Sequence, residues 1–321
     1  MATSAGTTER TTAGPITPRE RGTTSRPRRK AHLHGKWYTP WLFLVPTLVL
    51  LAVFFAWPAF SAVQLAFFDY RVVSPPTWVG VDNFRRMAED PRFFSALTNS
   101  GLFMIGMVPL LVALPLLLAL LVNLPLRAIK VFRLIYYLPV VTSMVVVAIA
   151  WNYVFHERGV LNWLLTSLGL FDKPVQFLLD TGWALPALVA VEVWKSAGYY
   201  MMIYLAGLQS IPASLYEAAR VDGATARQRL VHVTVPLLRP YLAVVVVLAT
   251  MDAVQVFTSV FVMTKGGPQD HTMTLGYYIY DKAFHEFDVG YANAIGLVLW
   301  AILIIISLVS YRVTRGKVTT P

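Results

Sequence analysis

Residues 216–240, YEAARVDGATARQRLVHVTVPLLRP, form the longest polar interruption in the second half of a very apolar chain. Pro212 supplies a first-turn helix signal, and Leu215, Ala218 and Ala219 share one face of the helix that follows. Gly223 breaks that helix, a second short helix is predicted from about Ala224 to His232, and Pro236 stops it. Asp222 or Gly223 is positioned to cap the second helix. Two short helices meeting at a glycine corner, slung between hydrophobic stretches, make a compact knob suited to docking on a partner.

The chain around this knob is that of an integral membrane protein. Of 321 residues, 56% are hydrophobic and 14% charged, against about 25% charged in an ordinary soluble domain. The absence of cysteine excludes disulfides, thiolate metal sites and cysteine nucleophiles. The net charge of +10 does not read as a nucleic-acid grip: eight of the 27 Lys and Arg lie in the first 40 residues, and most others flank apolar runs. Residues 1–38, with a basic cluster at Arg26, Arg28, Arg29 and Lys30, have too little apolar content to fold alone and are expected to be a disordered tail. The long basic region and the lack of a clear small-residue cleavage site argue against a signal peptide.

Six stretches are long enough to cross about 30 Å of hydrocarbon: 41–67, 98–122, 132–154, 183–207, 240–263 and 291–311. Trp37, Tyr38, Trp41, Trp151 and Tyr311 sit near their ends, where interfacial aromatics belong. With the N-terminus inside, the inner segments hold 18 Lys and Arg and the outer loops 8, with Lys195 inside a span. The positive-inside rule therefore places both termini and the loop 209–239 in the cytoplasm. The predicted fold class is an all-α integral membrane protein with six transmembrane helices. Its permease domain is 39–315, followed by a short tail at 316–321. The outer loops, 68–97, 155–182 and 264–290, are either solvated connectors or a docking surface, since loops near 30 residues are long for plain connections.

Charged residues inside spans mark functional sites by default. Glu192, Lys195 or Ser196, and Tyr199 recur at helical spacing along one face of the fourth span. Asp252 on the fifth span is extended by Gln255 and Ser259, and Asn293 sits near the outer end of the sixth. At 1.5 Å per residue, Lys195 and Asp252 fall about 18 Å and about 20 Å from the opposite ends of their antiparallel spans, so both lie near mid-membrane. They could converge on one cavity in which carboxylates, amide and tyrosine bind hydroxyl groups, with Trp194, Tyr199, Tyr200 or Phe257 stacking on a ring. Two structural alternatives stand beside this: a self-neutralising Glu192–Lys195 pair that only specifies packing, and contacts with a second subunit.

The opening stretch also carries a resemblance. Glu217-Ala218-Ala219, three residues, Gly223, nine residues, then Val233-Thr234-Val235-Pro236 resembles the EAA signature of bacterial ABC importer permeases, with Val233 and Val235 replacing Ile and Leu. Further segments resemble the carbohydrate-uptake, maltose-permease-like branch: Pro46, Val81-Asp82-Asn83-Phe84, Leu138-Pro139, Leu205 to Pro212, and Gly266-Gly267-Pro268. The resemblance implies the MetI-like permease architecture in a bacterial inner membrane. It implies a loop that inserts into a groove of a cytoplasmic ATPase, with Glu217, Ala218, Ala219, Asp222, Gly223, Val233 and Pro236 as the coupling residues. It also implies partners: a homologous permease subunit, two ATPase subunits and an extracytoplasmic solute-binding protein. The solute site is implied on the helices before and after the signature, which carry Glu192, Lys195, Ser196, Tyr199, Asp252 and Gln255.

The chain has no G-x-x-x-x-G-K-[ST], so energy for transport must come from a partner. It has no G-x-S-x-G or H-E-x-x-H, and its six histidines are scattered, so neither a catalytic set nor a metal or other cofactor is expected. A sugar or oligosaccharide is the expected solute, with glycerol phosphate as an alternative within the same class. An ion-coupled secondary transporter using Asp252 and Glu192 is the alternative from another class; it lacks visible inverted repeats and leaves the loop unexplained.

Overall fold

The fold is that of a computed structural model, which describes residues 38–124 and 127–315. The expectations for residues 1–37 and for the tail 316–321 fall outside the described residues. The chain divides into two compact units, Met1–Phe54 and Phe55–Pro321. The first contributes α1 (Thr39–Leu51), whose described side chains are exposed as those of a lipid-facing helix are, and most of a π turn over Ala52–Ala56.

The second unit begins with α2 (Trp57–Leu65), a two-stranded antiparallel ribbon of β1 (Phe68–Asp69) and β2 (Thr77–Trp78), and α3 (Asp82–Ala88). The long α4 (Pro91–Val122) follows, then α5 (Ile129–Val141), α6 (Met144–Phe155), α7 (Val160–Ser167) and α8 (Ala184–Ser210). Next come the short α9 (Ala213–Val221), α10 (Ala226–Arg229) and α11 (Val235–Leu237), then α12 (Arg239–Val254), α13 (Leu275–Tyr280) and α14 (Val289–Arg315).

Among the described residues, three helical stretches are long and apolar enough to cross a membrane: Trp41–Leu65, Pro91–Val122 and Val289–Val309. The number rises to five if each of two sharply bent helix pairs is one span. At 27 residues α8 is long enough as well, about 40 Å at 1.5 Å per residue, but Glu192, Lys195, Ser196 and its tyrosines lower its apolarity. The reason is its place. It is the central helix, packed against α4, α5 and α12, with Leu188, Val191, Tyr200, Met201 and Tyr204 fully or almost fully buried. A helix solvated by protein does not need a lipid-compatible surface.

Two expected spans depart from straight helices. The stretch 132–154 bends by 100° between α5 and the helices that follow. Pro139 precedes the bend, and Thr142 and Ser143 adopt extended conformations there. The stretch 240–263 ends as a helix at Val254, is non-helical at Val256 and Phe257, and resumes into a π turn over Val260–Thr264. At this break the Val256 carbonyl accepts a hydrogen bond from Thr274 Oγ1 at 2.8 Å. A neighbouring segment thus satisfies backbone that an unbroken helix would satisfy itself.

The segment 264–290 is folded rather than a solvated connector. Thr272, Thr274, Lys282 and Asp288 are buried. Asn99 on α4 donates to the carbonyls of Asp270 (2.7 Å) and Met273 (3.0 Å), and Ser100 Oγ accepts from the Leu275 amide at 2.9 Å. Arg86 Nη1 lies 2.6 Å from Asp288 Oδ2 with its guanidinium 4.2 Å above the Tyr291 ring. Asp90 caps α4 and accepts from the hydroxyls of Tyr278 (2.5 Å) and Tyr291 (2.6 Å). Burial alone would raise the Asp90 carboxyl, but these hydroxyls and the amides of Arg92 and Phe93 outweigh it and hold it below the usual carboxylate range. The Tyr278 hydroxyl moves up, by burial first and then by its bond to Asp90.

Candidate functional site

The polar face of α8 and the broken end of α12 meet at a cavity of about 240 Å³. Glu192, Lys195 and Ser196 line it from α8, and Asp252, Gln255, Val256, Phe257 and Thr258 line it from α12 and its break. Five of the six sequence-derived candidates therefore share one space. Tyr199 does not: it is exposed, and its ring packs edge-on against Tyr200.

Hydrogen bonds fix the polar groups individually. Ser259 Oγ donates to Glu192 Oε1 at 2.5 Å, and the buried Tyr200 hydroxyl donates to Asp252 Oδ2 at 2.6 Å. Lys195 Nζ lies 3.5 Å from the Val140 carbonyl. Glu192 and Lys195 form no ion pair within 4.0 Å: each carboxyl has a neutral donor instead. The direct Glu192–Lys195 contact considered from sequence is thus not formed at ion-pair distance. Each carboxylate keeps a second oxygen for other donors.

Of the aromatics proposed to stack on a ring, only Phe257 lines the cavity; Trp194 packs edge-on against Trp151, and Tyr200 serves as the donor to Asp252. Met107 of α4 and Met144 of α6 also line it. Sequence periodicity carried no signal for either, because each lies in an apolar stretch of its helix and only the packing brings them here. Asn293 lies elsewhere, its side chain donating to the Val289 carbonyl one turn back.

The loop is built as two helices about a corner. Gly223 has φ +75° with open space around it, so the backbone angle rather than crowding demands glycine. The cap of the second helix is neither Asp222 nor Gly223 but Thr225, which forms a reciprocal capping box with Gln228. Pro236 does not stop that helix either. The chain widens into a π turn over Leu230–Thr234 immediately before the proline and continues through α11 to Leu237. The real corner follows, a 67° bend into α12. Tyr216 and Thr234 hydroxyls, 3.0 Å apart, tie α9 to the π turn.

Glu217 and Ala218 are exposed on α9. Ala219, Asp222, Gly223 and Val233 line a hollow of about 330 Å³ on the loop, and Pro236 is half-buried beneath. Glu217 has no hydrogen-bond or ion-pair partner among the described residues. No cluster of His, Cys, Asp or Glu able to hold a metal ion occurs among them.

A bundle of membrane-crossing helices around a polar cavity, with an exposed helical elbow beside it, defines a membrane permease. The chain belongs to the family of binding-protein-dependent transport system inner membrane components, which it matches over residues 91–317. It is similar to the lactose transport system permease protein LacF of Rhizobium radiobacter, 32% identical over 281 residues that cover 86% of this chain and 94% of that protein. A solved bacterial ABC transporter involved in the import of the acidic polysaccharide alginate matches with a TM-score of 0.78 and 28% identity, covering 88% of this chain and 96% of that one. The bacterial alginate transporter solved in complex with its alginate pentasaccharide-bound periplasmic protein matches at TM-score 0.75, 28% identity and the same coverage. The fold is thus the mostly helical, MetI-like permease fold, and the chain is an ABC importer permease of the inner membrane.

Proposed function

We propose that this chain is a translocation subunit of an ATP-driven importer for a sugar or oligosaccharide, crossing the membrane six times with both termini and the loop 209–239 in the cytoplasm. Residues 39–315 form its translocation domain. The observation that carries this reading is the cavity shared by α8 and α12, the two helices that flank the loop. Carboxylates, amide, hydroxyl and amine there suit a ligand rich in hydroxyl groups, and Phe257 offers an apolar face for a ring. Glu192, Lys195, Ser196, Asp252 and Gln255 bind the solute; Tyr199 is left out by its position. The lactose and alginate relatives support a carbohydrate.

The partners are a homologous permease subunit, two ATPase subunits that hydrolyse ATP, and an extracytoplasmic solute-binding protein. Glu217, unpaired on an exposed helix, accepts from a basic group in the ATPase groove; Ala218 and Ala219 allow close approach; Asp222, Gly223, Val233 and Pro236 hold the elbow's shape. ATP-driven closure of the ATPases moves the elbow, and α8 and α12 transmit that motion to the cavity by exchanging two states of different solute affinity.

Glu217→Ala and Gly223→Asp test the reading. Both variants are expected to reach the membrane in normal amount while solute uptake and solute-stimulated ATP hydrolysis fall at least tenfold, the first by the loss of about one charge-assisted hydrogen bond and the second by strain at the positive φ of the corner. Uptake that survives both changes but collapses with the proton gradient would overturn it in favour of ion coupling.

A further inference from the structure

Beneath the elbow lies a cavity of about 750 Å³, larger than the one at the broken helix and of different chemistry. One wall is the last turns of α4 and the residues just past its end, including Leu117, Leu121 and Leu124. These leucines are 58%, 55% and 49% exposed, so the wall opens sideways onto the apolar outer surface instead of closing into the core. The other wall, from the elbow, carries Tyr216, Arg220 and Arg229. No carboxylate lines the space. Among the described residues neither guanidinium meets an acid; Arg220 reaches only the Tyr216 carbonyl, at 3.4 Å.

The cavity's depth is fixed by its walls. The apolar α4 ends at Val122 and α8 at Ser210, and the ends of both helices border this space. Helices that cross hydrocarbon end at the level of lipid headgroups. A leucine wall open to hydrocarbon, with two unpaired arginines at headgroup level, matches a molecule with an anionic head and apolar tails. Arginine forks suit phosphate oxygens in particular. A free phosphate would leave the leucine wall unused, and a zwitterionic head would bring its own cation against the arginines.

We propose that this cavity holds one acidic phospholipid, its phosphate between Arg220 and Arg229 and an acyl chain along Leu117, Leu121 and Leu124. Arg220 lies one helical turn beyond Glu217 on α9, so a lipid held there braces the helix that carries Glu217. Under the proposed orientation this is the cytoplasmic leaflet, where acidic lipids meet basic segments.

The test uses the intact membrane complex, extracted and reconstituted in phosphatidylcholine nanodiscs with or without phosphatidylglycerol, with retained lipid counted by native mass spectrometry. Wild type is expected to retain phosphatidylglycerol in preference to phosphatidylcholine. Arg220→Gln combined with Arg229→Gln should weaken that retention roughly thirtyfold, from about one kcal/mol per basic group near a membrane surface. Leu121→Trp fills the space with both arginines intact and should also abolish retention, which covers the case in which the arginine variant folds poorly. Equal retention in wild type and both variants overturns the proposal. So does displacement by inorganic phosphate, which would mark a free-anion site, or cross-linking from position 121 to a protein chain rather than to lipid. Because the readout is bound lipid, its failure leaves the transport reading untouched, and failure of that reading leaves this one standing.

Discussion

Asp252 sits two residues before the last residue of its helix, one oxygen held by Tyr200 and the other available to the cavity. Asp252→Asn is expected to lower solute uptake by about tenfold to a hundredfold, the loss of one charge-assisted hydrogen bond, with the protein still inserted. Tyr199→Phe, outside the cavity, should leave uptake within about twofold of wild type, roughly 0.4 kcal/mol; radiolabelled sugar uptake in vesicles measures both. Asp90 allows a pH prediction. Its folded carboxyl lies below the ordinary value of 3.8, so its contribution to stability is complete above that value and disappears as pH falls through the depressed one. Hydrogen-exchange protection across residues 272–291, corrected for the intrinsic pH dependence of amide exchange, should therefore be constant from neutral pH down to the ordinary carboxylate range and fall only below it. Asp90→Asn should remove that acid-dependent step. Protection lost steadily from near neutral pH downwards would contradict the assignment.

Among the elements, the contact of α8 with α5 depends on Gly198. A Cβ there would stand 2.1 Å from the Tyr136 carbonyl oxygen, a contact no rotamer change relieves. Gly198→Ala is expected to destabilise the protein by about 1–3 kcal/mol, read as a lowered melting temperature in detergent. Gly101→Ala on α4, where nothing lies within 4 Å, should be neutral or slightly stabilising, by about 0.5–1 kcal/mol. Helix existence and the polar stripe of α8 were legible in sequence, because apolar length and a three-to-four-residue recurrence are local signals. The corner at Gly223 was legible for the same reason. The bend at Thr142 and Ser143 and the break at Gln255 to Phe257 were not. Pro139 marks only that a helix can yield, and Thr274, whose hydroxyl satisfies the broken backbone, comes from eighteen residues away. Thr225 does not stand out as the cap in sequence because Asp222 and Gly223 are also good cap residues; only the reciprocal bond with Gln228 decides between them.

For the whole molecule, topology can be tested directly, since the chain contains no cysteine to remove. Single cysteines at Gln228 and at Asp172 should react with a membrane-impermeant maleimide from opposite sides, Gln228→Cys only in inverted vesicles and Asp172→Cys only in intact cells. Labelling of both from one side would overturn the proposed orientation. The interruption of α12 has an electrostatic consequence. A helix carries about half a negative charge at its carbonyl end, and α12 ends beside the cavity, next to Asp252 and within the same space as Glu192. One amine, Lys195, opposes two carboxyl groups and that dipole end. Under the proposed function, a solute held in this cavity meets a carbonyl end that favours hydroxyl and cationic donors over carboxylates, so a uronate is expected to be taken up less well than the corresponding neutral sugar, as competition in the uptake assay would measure.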